Sequence, residues 1–512
     1  MGPPDTTVAK SSSVSPFLEI RLVRPQVQGE RLIRLFEGSR SPHPAAALAA
    51  FRAAKAGRSG LSKGAEALIA ALNPMMVSEL RLFDETSIQL TRTADGQIVW
   101  NALIPHDDGA LASVATAFAL TDGASLPTVR GLEVDRLGPA GAPVMAHGPG
   151  LKQGLVQRLA GAGDEQGLVI ASSPDQIAPA LDRLKGVFDI TGSSNLHSGI
   201  HLELDARALK GPGTSLTARR LGEGLIAYGL PKVGGQVRLI DEALTARVEG
   251  KLESSGAGAA PTLDPSWVDD LPIDQPLAFA LAIDPSPKAW DSLFAWIDRV
   301  EKVDPERANV APSRLRLAIL LAPLRIRPET DIFPILKGVS GHGHFKANGN
   351  IDSLYLRIHT IDAIAAKRLA SETLPKLLER LGVKVEKVDD LVQFQLDGKP
   401  AFLLAEETRV ILSWGNQPKA TSDQRLNTVL RSNAGDDGSL SHQRLLVFWP
   451  GRMPGLGIEG IEPVIWRGGT KGNISVDEIR WKGAKVALDA FLEKLPLKPP
   501  ANAATPFKQG QN

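Results

Sequence analysis

The chain predicts an α+β fold of two similar halves in tandem, each mainly antiparallel sheet with helices packed on one face. Three observations lead there. Strand, hairpin and helix signals recur in the same order at a long period. Two Asp/Asn-Gly turns mark tight hairpins, because positive φ costs little there. A stretch rich in Gly, Ala, Pro and Asp separates the two series. The halves are expected over 1–252 and 277–494, joined by a linker over 253–276 and followed by a flexible tail over 495–512.

The elements follow in order. Phe17 to Val23 alternates in polarity as a half-buried strand and leads through a Pro/Gln/Gly turn to a helical Glu30 to Phe36. Leu277 to Ile283 is its counterpart. Asp284-Pro285-Ser286-Pro287 then opens a helix with Trp290, Leu293, Phe294 and Ile297 on one face. Ala/Leu-rich helical stretches come next, near Ala65 to Leu72 and Arg314 to Leu321. Each series continues with a hairpin. Glu79 to Leu90 turns at Asp95-Gly96 into Gly96 to Ile104, and Val339 to Ala347 turns at Asn348-Gly349 into Gly349 to Ile358. A helix follows each, with Asp108 before Ala110 to Ala119 and Asp362 before Ala363 to Leu369; each Asp sits where an N-cap belongs. A strand–helix pair runs from Gly167 to Leu184 and again from Thr408 through Ala420 to Leu430. His201 to Leu204 and Leu445 to Trp449 read as the next strands.

Composition bounds the function classes. At 512 residues the chain calls for about two to four domains. Lys plus Arg total 58 against 57 Asp plus Glu, so no excess of positive charge points to nucleic acid or anionic membrane as the main partner. The Arg314, Arg316, Arg325 and Arg327 cluster alternates with apolar residues and reads as a solvated face. Cysteine is absent, which removes disulfides, thiolate metal sites and thiol nucleophiles together. The longest apolar stretch, Leu317 to Leu324, is far short of the roughly 20 residues of a spanning helix. Met1-Gly2-Pro3-Pro4-Asp5 lacks the basic start and apolar run of a signal peptide.

Motifs with chemical meaning are few. Gly455, Gly457 and Gly460 match a dinucleotide-binding pattern, but Pro463 and a strand-like Val464-Ile465-Trp466 follow where a helix is needed, so the pattern reads as a turn. No phosphate loop, nucleophile elbow or HExxH motif occurs. Nine histidines leave His342 and His344, two apart on one strand face, as the candidate metal ligands. His197 with His201, and His106 beside Asp107 and Asp108, make poorer sets. The pairs Asp84-Glu85, Asp269-Asp270, Asp389-Asp390 and Asp436-Asp437 sit in turn-like surroundings that favour Asp without catalysis. Seven of the eight Trp lie beyond the first half; Trp449, Trp466 and Trp481 form the candidate ligand or partner surface, with core packing as the plainer alternative. No catalytic residue and no cofactor-binding residue is assigned.

Hairpin and helix units ending in Gly167 to Leu181 and Thr408 to Leu426 resemble a group of uncharacterised bacterial envelope proteins built of tandem α+β modules. The resemblance implies an extracytoplasmic location, in the periplasm or cell envelope, and a non-enzymatic role; a cytoplasmic location stays open. The resulting expectation is a non-catalytic binding or scaffold protein without cofactors, whose partner is a protein or a small molecule and not nucleic acid. Two alternatives stand beside it: a hydrolase with a site between the halves, and a carrier of an apolar ligand.

Overall fold

A computed structural model describes residues 16–54, 74–79, 85–93, 97–105, 125–129, 132–136, 144–147, 167–181, 198–211, 214–240, 242–253, 261–269, 271–272, 275–346, 348–415, 441–453 and 461–494. Among the described residues twenty strands form one sheet. The first ten are β1 (Leu18–Val23), β2 (Glu85–Arg92), β3 (Ile98–Pro105), β4 (Ser125–Val129), β5 (Leu132–Arg136), β6 (Val144–His147), β7 (Gly167–Ala171), β8 (Gly199–Asp205), β9 (Lys232–Ile240) and β10 (Ala243–Lys251). The second ten are β11 (Leu277–Ala282), β12 (Leu336–Phe345), β13 (Ile351–Thr360), β14 (Val385–Val388), β15 (Leu391–Leu396), β16 (Lys399–Glu406), β17 (Arg409–Trp414), β18 (Ser441–Phe448), β19 (Val464–Lys471) and β20 (Ile474–Trp481).

All described pairings are antiparallel. Neighbours in the first ten run β4-β5-β6-β7-β3-β2-β1-β8-β9-β10. The second ten repeat this order with every number raised by ten, β14-β15-β16-β17-β13-β12-β11-β18-β19-β20. β10 pairs with β20, so the two sets meet edge to edge. Directly opposed residues share a face of the sheet. The row Arg21, His201, Gln236, Arg247, Glu478, Arg467, Leu445, Ala280 therefore marks one continuous front face. Leu239, Leu244, Trp481, Val464, Phe448 and Leu277 mark the back.

Ten α-helices accompany the sheet among the described residues: α1 (Pro25–Arg34), α2 (Pro44–Ala54), α3 (Pro74–Glu79), α4 (Leu216–Ala227), α5 (Ser266–Asp269), α6 (Pro287–Lys302), α7 (Ser313–Leu321), α8 (Ala363–Arg368), α9 (Leu374–Arg380) and α10 (Ala484–Lys494). The fold is α+β, as its patterning predicts. On the back, Leu35 and Phe36 beyond α1 pack with Leu239 of β9 and Leu492 of α10, so the helix after β20 closes a core of the first ten strands. Further along the same face, Ala366, Leu369 and Ala370 cover Val392, Phe394, Ala401, Leu403 and Val410. Helix α5 instead lies against front-face residues of β11, β18 and β19.

Local signals account for the helix starts. Ser286 caps α6 through Oγ, which accepts from Ala289 N at 3.3 Å, with Pro287 in the first turn. The Asp362 carboxylate accepts from Ala365 N at 2.7 Å, and the helical path continues through a π turn (369–373) into α9, beyond the expected end at Leu369. Helix α1 begins at Pro25 rather than Glu30, because Pro serves as a first helical residue. Glu79 ends helix α3, and β2 starts at Glu85. The Asn348-Gly349 hairpin forms, with Gly349 at φ 84°. The Asp95-Gly96 turn, Asp108 with its helix, the helical stretches near 65–72 and 420–430, and the 495–512 tail lie outside the described residues.

The two sets of strands are also locked together through helices. Trp296 of α6 donates from Nε1 to the Gly224 carbonyl of α4 at 2.9 Å. Arg220 pairs with Asp304 at 2.6 Å beside that contact.

Candidate binding groove

The front face has opposite characters in the two sets of strands. Corresponding positions follow from the pairing: Asp205 N donates to the Phe17 carbonyl, and Trp449 N donates to the Pro276 carbonyl. With that alignment, six front positions of the second set are Ala278, Ala280, Leu445, Val447, Trp449 and Ile465, and all are buried in one apolar cluster. In the first set they are Glu19, Arg21, His201, Glu203, Asp205 and Gly234.

A segment of the chain itself covers the apolar version. Leu263, Val268 and Leu271, within the stretch expected to link the halves, are buried in that cluster, and Trp267 packs against it. The Trp267 ring lies flat on His359 of β13, with centroids 4.3 Å apart and planes 13° apart. It also lies against Gly338 of β12, where an added Cβ would collide with the ring. His359 is 5% exposed and shares a 2.8 Å hydrogen bond between Nε2 and Ser340 Oγ. Burial pushes its pKa down to about 4, and the charges of Arg357 and Arg409 push the same way against Asp264. Asp264 closes the turn before α5 by accepting from Ser266 Oγ at 2.8 Å and Ser266 N at 2.9 Å, which holds its carboxyl below the usual range. Sequence reading did not single out His359, Trp267 or Gly338.

On the first set the same face is an open groove of about 1420 Å³, across β1, β8, β9 and β10 to Asn473 and Ile474 at the start of β20. Its floor is flat at Gly234. A Cβ there would meet only Glu249 at 3.7 Å, an ordinary contact, so packing does not demand glycine at this position. A strand glycine that packing does not require leaves room for close approach of another molecule. Side chains of both signs stand around it. Glu19 accepts from Arg21 Nε at 2.7 Å, from Ser87 Oγ at 3.3 Å and from Gln89 Nε2 at 3.3 Å. Arg247 pairs with Glu249 at 3.4 Å, and Arg207 with Glu253 at 2.8 Å. The His201 and Gln236 side chains meet at 3.4 Å. After these pairings Glu203, Lys232, Arg238 and Lys251 have no side-chain ion pair or hydrogen bond among the described residues. Among the described residues the groove therefore presents three uncompensated cations and one uncompensated anion.

The residues named from sequence are placed as follows. His342 and His344 stand on the front of β12, with His342 stacked on Tyr355 at 5.0 Å and 14°. Among the described residues no group of three His, Asp or Glu is placed to hold a metal ion. Trp449 is 5% exposed in the front apolar cluster. Trp466 and Trp481 lie on the back, where Trp466 Nε1 donates to Asp477 Oδ1 at 2.9 Å. The three Trp thus fall on two sides of the sheet. Asp389-Asp390 forms the two-residue hairpin turn between β14 and β15, with Asp389 at φ 56°. Residues 455–460, His106, His197, Asp84 and the 436–437 pair lie outside the described residues, and β19, a strand, follows the glycine pattern.

No protein-family model matches the chain, and no curated protein does. Among solved structures, crystal form IV of TP0453 is similar at a TM-score of 0.24 and 10% identity, covering 47% of this chain and 78% of that one. Crystal form I of TP0453 gives 0.23 and 11%, covering 48% and 82%. Likeness at this level carries no argument about fold or function.

Proposed function

We propose that this chain is a non-catalytic binding protein of a bacterial cell envelope, and that its ligand lies in the charged front groove of β1, β8, β9 and β10. One observation carries the reading. The same six positions are apolar and closed by residues 261–271 in one set of strands, and polar, open and floored by glycine in the other. The recurring strand order supports duplication of one module, with one copy closed and the other left open for a ligand. A volume of about 1420 Å³ exceeds the roughly 300–1,000 Å³ of small-molecule pockets, which favours an oligomeric ligand. The resemblance to tandem α+β envelope proteins supports the location. Among the described residues no helix is long and apolar enough to cross a membrane.

The test is a thermal-shift screen of peptide and anionic oligosaccharide panels against the wild-type chain and Gly234→Trp, which fills the floor. At least one ligand is expected to raise the melting temperature of the wild type and leave the variant unmoved. If no ligand shifts the wild type, or all shift both proteins equally, the groove is not the site.

A second reading, a carrier of an apolar ligand, draws support from the back of the central strands. There Leu244, Val248, Trp466 and Ile479 are between 36% and 43% exposed, side by side on β10, β20 and β19. An environment-sensitive fatty-acid probe that binds and is displaced by Ile479→Glu is the expected sign of it; binding unchanged by that variant removes the reading.

A further inference from the structure

We infer that the occupant of the front groove is an acidic stretch of polypeptide, an inference that rests on the groove being the binding site. The second set of strands shows what this sheet face accepts. The equivalent surface of β11, β18 and β19 is covered by chain segment 261–271, which presents Leu263, Val268 and Leu271 to an apolar floor. A covering segment that matched the charged floor of β1, β8 and β9 would present polar and charged side chains instead.

The uncompensated charges define which ones. Lys232 and Arg238 both face the groove from β9, six residues apart. At about 3.3 Å per residue that separation is roughly 20 Å. Lys251, at the end of β10, adds a second cation near Lys232. Between the two positive ends stands Glu203, opposite Gly234. An extended segment lying along β9 would place carboxylates at both ends, about six residues apart, and an amide or basic side chain over Glu203. Charge-assisted hydrogen bonds from Arg and Lys to carboxylates are the strong contacts available here. Among the described residues neither Phe, Trp nor Tyr lines the groove, and single-stranded nucleic acids rely on such stacking surfaces.

The experiment is panning of a display library of random twelve-residue peptides against the full chain. Three baits are used: wild type, the charge reversal Lys232→Glu/Arg238→Glu/Lys251→Glu, and Gly234→Trp. All three substituted positions of the reversal are solvent-facing strand residues, and circular dichroism verifies folding of each bait. Wild type is expected to enrich peptides with two acidic positions about six apart. Their affinity should fall on the order of tenfold or more on the charge reversal, which should enrich basic peptides in their place. Binding should be lost on Gly234→Trp. Enrichment without an acidic bias, or acidic peptides retained by the charge reversal, overturns the inference. If anionic oligosaccharides bind wild type and not Gly234→Trp while no peptide does, the groove stands and the polypeptide does not. Peptides or oligosaccharides that bind Gly234→Trp as well as wild type remove the groove itself.

Discussion

The buried imidazole beneath Trp267 makes acid sensitivity measurable. His359 is 5% exposed, pressed between the Trp267 ring and the sheet, and held by Ser340. Its pKa is about 4 in the folded chain against an ordinary value of 6.5. Because the folded value is the lower one, the unfolded chain takes up the proton first as pH falls. The group therefore contributes stability that is complete above pH 6.5 and is lost between about 6.5 and about 4. A difference of about 2.5 pH units corresponds to roughly 3.4 kcal/mol, or about 1.4 kcal/mol for each unit crossed. Denaturant unfolding of wild type and His359→Gln from pH 7.5 to 4 isolates this contribution, since other titrating groups are common to both. The wild-type stability curve should fall more steeply by about 3 kcal/mol over that window. In a histidine NMR titration the His359 resonance should stay unprotonated at pH 5.5. Parallel stability curves, or a measured midpoint near 6.5, would refute the placement of His359 under the Trp267 cover.

Two further expectations test how the halves are held. Trp267→Ala empties the slot above Gly338 and His359 and should cost about 3–5 kcal/mol in denaturant unfolding. Gly338→Ala pushes a methyl group into the same ring and toward the Leu281 carbonyl at 2.6 Å, with a loss of about 1–3 kcal/mol; the part due to the ring disappears in the Trp267→Ala background, while the part due to the carbonyl stays. Additive losses would mean that the ring does not occupy the slot. Leu492→Ala in α10, where the side chain is 1% exposed, should cost about 2–5 kcal/mol and raise hydrogen exchange in β9, far away in sequence. Exchange in β9 unchanged by the substitution would show that α10 does not close that core.

Much of the framework was legible because it rests on local chemistry. Ser286-Pro287, Asp362 and Asn348-Gly349 each satisfy a backbone requirement within a few residues, and each ends or begins an element where expected. The β15–β16 hairpin carries the same kind of signal in Asp397-Gly398, both at positive φ. The candidate site was harder, because it is a contrast between distant strands. Phe17 to Val23 and Leu277 to Ile283 read alike as strands. Yet LEIRLV alternates apolar and charged, whereas LAFALA is apolar throughout. A strand covered on both faces needs no alternation, and one open on a single face does. That difference was the one available sign that the two fronts would part ways. Trp449, Trp466 and Trp481 look like a cluster in sequence, but once their strands are paired Trp449 lies on the front and the other two on the back.

The closed front also explains why the stretch after β10 has the composition of a linker and the burial of a core. Pro261, Asp264 and Pro265 disfavour a periodic element, so 261–269 runs as irregular chain, a turn and one short helix. Its apolar residues are too widely spaced for a strand or a long helix, yet Leu271 is fully buried. Such a segment is held by the apolar floor beneath it together with short local hydrogen bonds such as those of Ser266 to Asp264. The small Ala278, Ala280 and Gly338 leave room for Trp267 and its neighbours. On the first set of strands, Glu19 and Arg21 stand where Ala278 and Ala280 would be, and an apolar cover there would take their ion pair out of water with nothing gained in return. The same exclusion that keeps the chain's own apolar segment off the groove selects for an occupant carrying complementary charge.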